Sequence, residues 1–313
     1  MASSRALLVA GAIGIAAVFS AAAPAPPKAV EAAVEASISI KTLPSDLTPI
    51  FRQLSTGSGY GKALSTNYIT HACDAHYTPA LQTDPKACFY GDLKASKTVI
   101  LYGDSNAANW APGLDIAFKA LKLRLALIAM PGCASGFMDY TQSQTQYPQA
   151  CDTWHSHLAP LAKSLHPYAV MLVAAGWGLS ALPNSVWYPA IAKAFQVMTG
   201  GRSKVKRILV GTSPDFKNSV PTCLAAYPTA VQSCTLNYSD PTSTYASVLA
   251  RDPQLAKSSK ATLMPVVQWL CYRDQCSPIV KNYMVYLDTD HFSVAYSEYL
   301  TGVLEVATKK YVL

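Results

Sequence analysis

Charge is scarce in this sequence: 14% of its 313 residues are Asp, Glu, Lys or Arg, while 50% are hydrophobic. That balance excludes a disordered chain, because enough apolar surface is present to fill one large core or two modest ones. The eight cysteines contain no C-x-x-C pair, and none of the six histidines stands at ligand spacing from them. No metal site is therefore expected. Internal repeats are missing. No nucleic-acid-binding motif accompanies the net charge of +7, whose basic residues are scattered apart from Lys204, Lys206 and Arg207 and the pair Lys309 and Lys310. A nucleic-acid partner is not expected, and no motif calls for a cofactor. Beyond the N terminus, no apolar run approaches the roughly 20 residues of a membrane-spanning helix.

What is present begins at the N terminus. Arg5, an apolar stretch from Ala6 to Phe19, and the small residues Ser20, Ala21, Ala22 and Ala23 follow the order of a secretory signal. Pro24, Pro26 and Pro27 disfavour continuing that stretch as a helix. We read residues 1–22 as a cleaved signal peptide, 23–37 as an Ala, Pro and Glu-rich linker, and the mature protein as secreted, periplasmic or held in the cell envelope. The cysteines agree with an oxidising compartment. They form four sequence-adjacent couples, Cys73 and Cys88, Cys133 and Cys151, Cys223 and Cys234, and Cys271 and Cys276, although eight cysteines allow 105 pairings.

Residues 38–95 show no core of their own and are expected to pack on the main domain, residues 96–313. There the pattern alternates strand and helix, the signature of an α/β fold with a parallel sheet of about five strands. The strands are expected at Thr98–Tyr102, Arg124–Met130, Ala169–Ala174, Arg207–Gly211 and Thr262–Val267. Helices are expected over Trp110–Leu121, Cys151–Leu165, Val186–Met198 and Val294–Lys310, with Asp215–Lys260 mostly loop.

Two stretches carry chemistry. Lys97 to Trp110 reads KTVILYGDSNAANW, a buried-strand run that breaks at Gly103, Asp104 and Ser105 before a helix start. This geometry lifts a serine hydroxyl above a sheet edge, making Ser105 a candidate nucleophile; taken alone, Ser105 reads equally well as a helix cap. The second stretch, Asp288-Thr289-Asp290-His291, precedes the last helix. Here Asp288 can orient His291, which in turn can take the serine proton. His155 and His157 lie on different faces of their helix and are assigned no role.

Gly103-Asp104-Ser105 and Asp288-x-x-His291 resemble the first and last motif blocks of SGNH (GDSL-like) hydrolases. The chain looks most like the extracytoplasmic SGNH domain fused to membrane acyltransferases of bacterial envelope glycans. The resemblance implies a three-layer α/β/α flavodoxin-like fold and an acyl-serine mechanism with Ser105, Asp288 and His291 as the catalytic residues. It implies a secreted esterase or O-acyltransferase acting on acyl, chiefly acetyl, esters of envelope carbohydrate, with an acylated carbohydrate or small acyl ester as substrate and a membrane acyltransferase as a partner. Asn106 stands where the family often has His. Ala175-Gly176-Trp177 replaces the block that supplies an oxyanion-hole Asn, leaving Gly132 and Asn106 as oxyanion-hole candidates. Trp177 reads either as a platform for a sugar ring or as core. The competing expectation is a non-catalytic glycan-binding module that keeps the fold.

Overall fold

The structure is a computed structural model, and it describes residues 25–49, 89–138, 148–174, 182–240 and 243–313. Residues 1–22, the Cys73–Cys88 couple and Trp177 lie outside the described residues.

The main sheet has six strands. In chain order they are β1 (Phe89–Gly91), β2 (Thr98–Gly103), β3 (Arg124–Ala129), β4 (Ala169–Val173), β5 (Lys206–Val210) and β6 (Thr262–Met264). Their spatial order is β1-β3-β2-β4-β5-β6, with β1 antiparallel and the rest parallel. The five expected strands are thus joined by a sixth, Phe89–Gly91, which is too short for an alternation signal and is held in place by its pairing with Leu125 and its neighbours.

Helices cover both faces, giving three layers. They are α1 (Pro27–Ser37), α2 (Ser105–Ala108), α3 (Ala111–Leu121), α4 (Pro148–Leu165), α5 (Asn184–Met198), α6 (Val220–Ala226), α7 (Thr244–Ser258), α8 (Val294–Tyr299) and α9 (Thr301–Tyr311). The central strands β2, β3 and β4 are apolar runs buried on both faces, as a covered parallel sheet requires. Their side chains alternate between two cores. Val99, Leu101, Leu127 and Met171 pack with α1, α3 and α9, whereas Ile100, Tyr102, Ile128 and Leu172 pack with α4 and α5. Among the described residues no helix is long and apolar enough to cross a membrane. Cys133–Cys151, Cys223–Cys234 and Cys271–Cys276 are disulfides, in the sequence-adjacent pairing expected.

Three expectations need correction. Residues 27–37 of the expected linker form helix α1, because Val30 and Val34, four residues apart, share one face and are both buried in the core. Much of the expected Asp215–Lys260 loop is helical. In α7, Tyr245, Leu249, Asp252 and Ala256 repeat at helical spacing, a pattern interrupted in the sequence by Pro253. The single C-terminal helix is two, α8 and α9, which meet at Leu300.

The C-terminal pair packs closely on α3, and Gly113 permits it. A Cβ there would lie 2.2 Å from the Ser297 carbonyl oxygen and 2.7 Å from Leu304 Cδ1, while the Gly113 N–H donates to Ser297 Oγ at 3.1 Å. Alanine is worth roughly 1 kcal/mol over glycine inside a helix, but the clash reverses the sign. Gly113→Ala is expected to destabilise the fold by about 3 kcal/mol, the upper part of the range for overpacking, read as a lowered urea midpoint with unchanged slope.

Candidate active site

The C-terminal edge of the sheet gathers both chemical stretches. β2 pairs with β3 on one side and β4 on the other, so the connections leave in opposite directions and open a crevice above the end of β2. Ser105 opens α2 there and is half-buried. Gly103 makes the turn feasible, since a Cβ would come within 2.8 Å of Ala107 Cβ and 2.9 Å of the Val173 carbonyl oxygen. Asp104 is the N-cap, its Oδ1 accepting the Asn106 N–H at 2.8 Å. Burial pushes the Asp104 carboxyl up, the Asn106 N–H opposes this, and with Asp290 and His291 contributing in opposite directions it settles at about 7.

The histidine turn is built on its own carboxylate. Asp288 Oδ1 accepts the main-chain N–H groups of Asp290 (3.0 Å) and His291 (2.8 Å), while Oδ2 lies 2.7 Å from His291 Nδ1. The Leu287 N–H closes the turn on the His291 carbonyl at 2.9 Å. Burial alone would raise Asp288 and lower His291. Burial is the largest single influence on each, but it is overcome jointly: the hydrogen bond to His291, the imidazolium charge and the Asp290 and His291 N–H groups hold Asp288 near 2, while the hydrogen bond to Asp288 and the charges of Asp290, Asp288 and Asp104 raise His291 to about 9. With Nδ1 committed to Asp288, Nε2 is the nitrogen left to exchange a proton with a nucleophile.

What joins the two stretches was not read from the sequence. Asn106 Nδ2 donates to Asp290 Oδ2 at 3.0 Å, and Asn109 Nδ2 donates to the Asp290 carbonyl at 3.3 Å. Asp290 Oδ1 lies 3.3 Å from His291 Nδ1. Below these bonds, Trp110 packs edge-on against Phe292 with ring centroids 5.1 Å apart. Asp290 therefore ties α2, which Ser105 opens, to the turn that carries Asp288 and His291. The available signal was the pair Asn106 and Asn109, three apart and so on one helix face, opposite an acidic residue adjacent to His291.

The expected oxyanion-hole residues fall in different places. Gly132 sits in the turn after β3 with φ +74°, at the same sheet edge as Ser105. Asn106 directs its main-chain N–H to Asp104 and its amide to Asp290, so in this structure it serves the link rather than the crevice. His155 is buried, 2.9 Å from Tyr102 Oη, and its pKa is lowered by burial to about 3, which keeps it neutral; His157 is exposed, on the other face as expected. Asp288, Asp290 and His291 place ligand-type atoms within 4.8 Å of one another, a spacing a cation could use, but those atoms already bond each other and Asn106.

The loop after β5 completes the edge. The Phe216 N–H donates to the Thr289 carbonyl at 2.7 Å, and the Val220 N–H to that of Asp288 at 3.0 Å. Asp215, one residue earlier, is exposed, and its pKa is raised by partial burial and then by the charges of Asp290 and Asp288.

The family described as "SGNH domain (fused to AT3 domains)" matches residues 72–305. The periplasmic domain of a lipopolysaccharide acetyltransferase from Salmonella ser. Paratyphi A superposes with a TM-score of 0.58 at 14% identity, covering 84% of this chain and 97% of that one. An aryl esterase from M. smegmatis gives 0.42 at 14% identity over 69% and 100% of the two chains. A GDSL-like lipase from Bacteroides thetaiotaomicron gives 0.41 at 16% over 68% and 88%. No curated protein matches the sequence significantly.

Proposed function

The chain belongs to the family of SGNH domains found fused to AT3 domains, and on that premise we propose that it is an extracytoplasmic O-acyltransferase or esterase acting on acetyl esters of envelope carbohydrate. The observation that carries this reading is the joining of the Ser105 helix to an assembled Asp288–His291 pair through Asp290.

Ser105 Oγ attacks the acyl carbonyl carbon and passes its proton to His291 Nε2. Asp288 holds the imidazole by Nδ1 and stabilises the imidazolium that forms. The main-chain N–H groups of Ser105 and Gly132 receive the developing oxyanion. As the tetrahedral intermediate collapses, the C–O bond to the leaving alcohol breaks and His291 returns the proton to that alcohol. The acyl-serine ester is then attacked by water or by a sugar hydroxyl, whose proton goes to His291, and breaking the acyl–Ser105 bond restores the serine hydroxyl. A disulfide-stapled fold preceded by a signal-like stretch supports an oxidising compartment. The family's association with AT3 domains supports a membrane acyltransferase as supplier of the acyl group.

A fluorophosphonate probe tests the core of this reading. It is expected to label the peptide containing Ser105 and no other, and labelling should vanish in His291→Ala. Absence of label on Ser105 in the wild-type protein, or labelling that survives His291→Ala unchanged, would overturn it.

A further inference from the structure

Beside the catalytic turn lies a cleft of about 460 Å³ that the acyl-transfer chemistry does not use. Its volume falls within the roughly 300–1,000 Å³ of small-molecule sites. One wall is the loop after β5, including Asp215, Phe216 and Asn218; the other is formed by Leu236, Ser243 and Thr244. The Cys223–Cys234 disulfide joins the segments between them, so the cleft is built on a cross-linked excursion.

Its place in the fold matters as much as its size. The first wall is hydrogen-bonded to the catalytic turn through Phe216 and Thr289. β5 and β2 are two positions apart in the sheet, about 10 Å at ordinary strand spacing, so the loop that forms the first wall leaves the same sheet edge as Ser105. The lining is mixed. Phe216 and Leu236 offer apolar surface, whereas Asp215, Asn218, Ser243 and Thr244 offer carboxylate, amide and hydroxyl groups. The Ser243 hydroxyl is buried and has no hydrogen-bond partner among the described residues, an arrangement that an incoming polar group would relieve. Apolar patches for the C–H face of a ring, with acceptors and donors around them, suit a hydroxyl-rich ligand better than an acyl chain, which would need a dry, apolar slot.

We propose that this cleft is the carbohydrate subsite of the enzyme, holding the sugar that receives or carries the acyl group while the ester reaches Ser105. The assignment rests on the acyl-transfer reading above. It makes Asp215 the hinge of the site, since that carboxylate borders both the cleft and the catalytic turn.

The test separates sugar binding from chemistry. With p-nitrophenyl acetate as donor and cellobiose, maltose and N,N′-diacetylchitobiose as separate acceptors, acetylated disaccharide is read by mass spectrometry and p-nitrophenol by absorbance. Asn218→Trp and Thr244→Trp fill the cleft from opposite walls, each from an exposed position. At least one disaccharide is expected to be acetylated, and both variants should reduce that product about tenfold or more while p-nitrophenol release stays within about twofold of wild type. Unchanged disaccharide acetylation in both filled variants overturns the subsite. So does the absence of acetylated disaccharide with all three acceptors when Ser105-dependent p-nitrophenol release is intact. If that release persists in Ser105→Ala, it is the acyl-transfer reading itself that fails.

Discussion

Ser105→Ala is expected to lower kcat for p-nitrophenyl acetate by about 10⁴- to 10⁶-fold, with His291→Ala falling in the same range. In the proposed mechanism both substitutions remove the same event, transfer of the Ser105 proton to His291, so the double variant should be scarcely worse than either single one. A cooperative unit behaves in this way, whereas two independent contributors would multiply. The residual rate of each variant over uncatalysed hydrolysis would measure what the Ser105 and Gly132 N–H groups contribute on their own. Folding should not confound the comparison. Ser105 is only half-buried at the first position of α2, and the cap of that helix is the neighbouring Asp104, which remains. Circular dichroism and thermal midpoints close to wild type are therefore expected for Ser105→Ala. A variant that folds and retains within about tenfold of the wild-type rate would remove Ser105 from the nucleophile's role.

The legibility of the sequence follows the range of the interactions involved. Strands β2 to β6 were readable because each contains a short apolar run closed by a turn signal, and for β2, β3 and β4 burial on both faces leaves few alternatives. Asp288 and His291 were readable for a similar reason, since they meet through a local turn in which Asp288 accepts N–H groups two and three residues away. Strand β1 was not, because three residues carry no period and only β3 defines them. Helix α1 was hidden by its composition: Pro, Ala and Glu suggest a linker, and only two valines at i and i+4, in contact with distant elements, make it part of the core. The Asn106–Asp290 bond spans 184 residues, and no local pattern encodes it. The sequence does place an amide where the family often has histidine, which singled out Asn106; that its partner would be a carboxylate of the histidine turn needed the fold. The site thus divides into a chemical pair written locally and a distance-setting contact written across the chain.

That division gives the second large effect, in which Asp288 and Asp290 should behave differently although only one residue separates them. Asp288→Asn is expected to reduce kcat by about 10⁴-fold, because an amide can present its N–H to Nδ1 and favour the wrong tautomer, and it no longer stabilises the imidazolium. Asp290→Asn keeps an oxygen that can accept from Asn106 Nδ2, so the nucleophile and the base should stay in register and the rate near its maximum should fall about tenfold or less. Its signature lies in the pH profile. In the resting protein His291 is raised to about 9, above the ordinary histidine value of about 6.5, so the base form is scarce at neutral pH and kcat/KM should climb with pH well beyond neutrality. Removing the Asp290 charge withdraws part of what favours the imidazolium, and the rising limb should move to lower pH; a limb that stays in place would separate Asp290 electrostatically from His291. Stability should follow with the opposite slope. A histidine whose folded pKa exceeds its unfolded one contributes stability that is complete below about pH 6.5 and is lost as pH rises through about 9. The wild-type thermal midpoint should thus drop over this interval by more than that of Asp290→Asn, and the pH at which activity is gained is the pH at which the charged pair that builds the turn is given up.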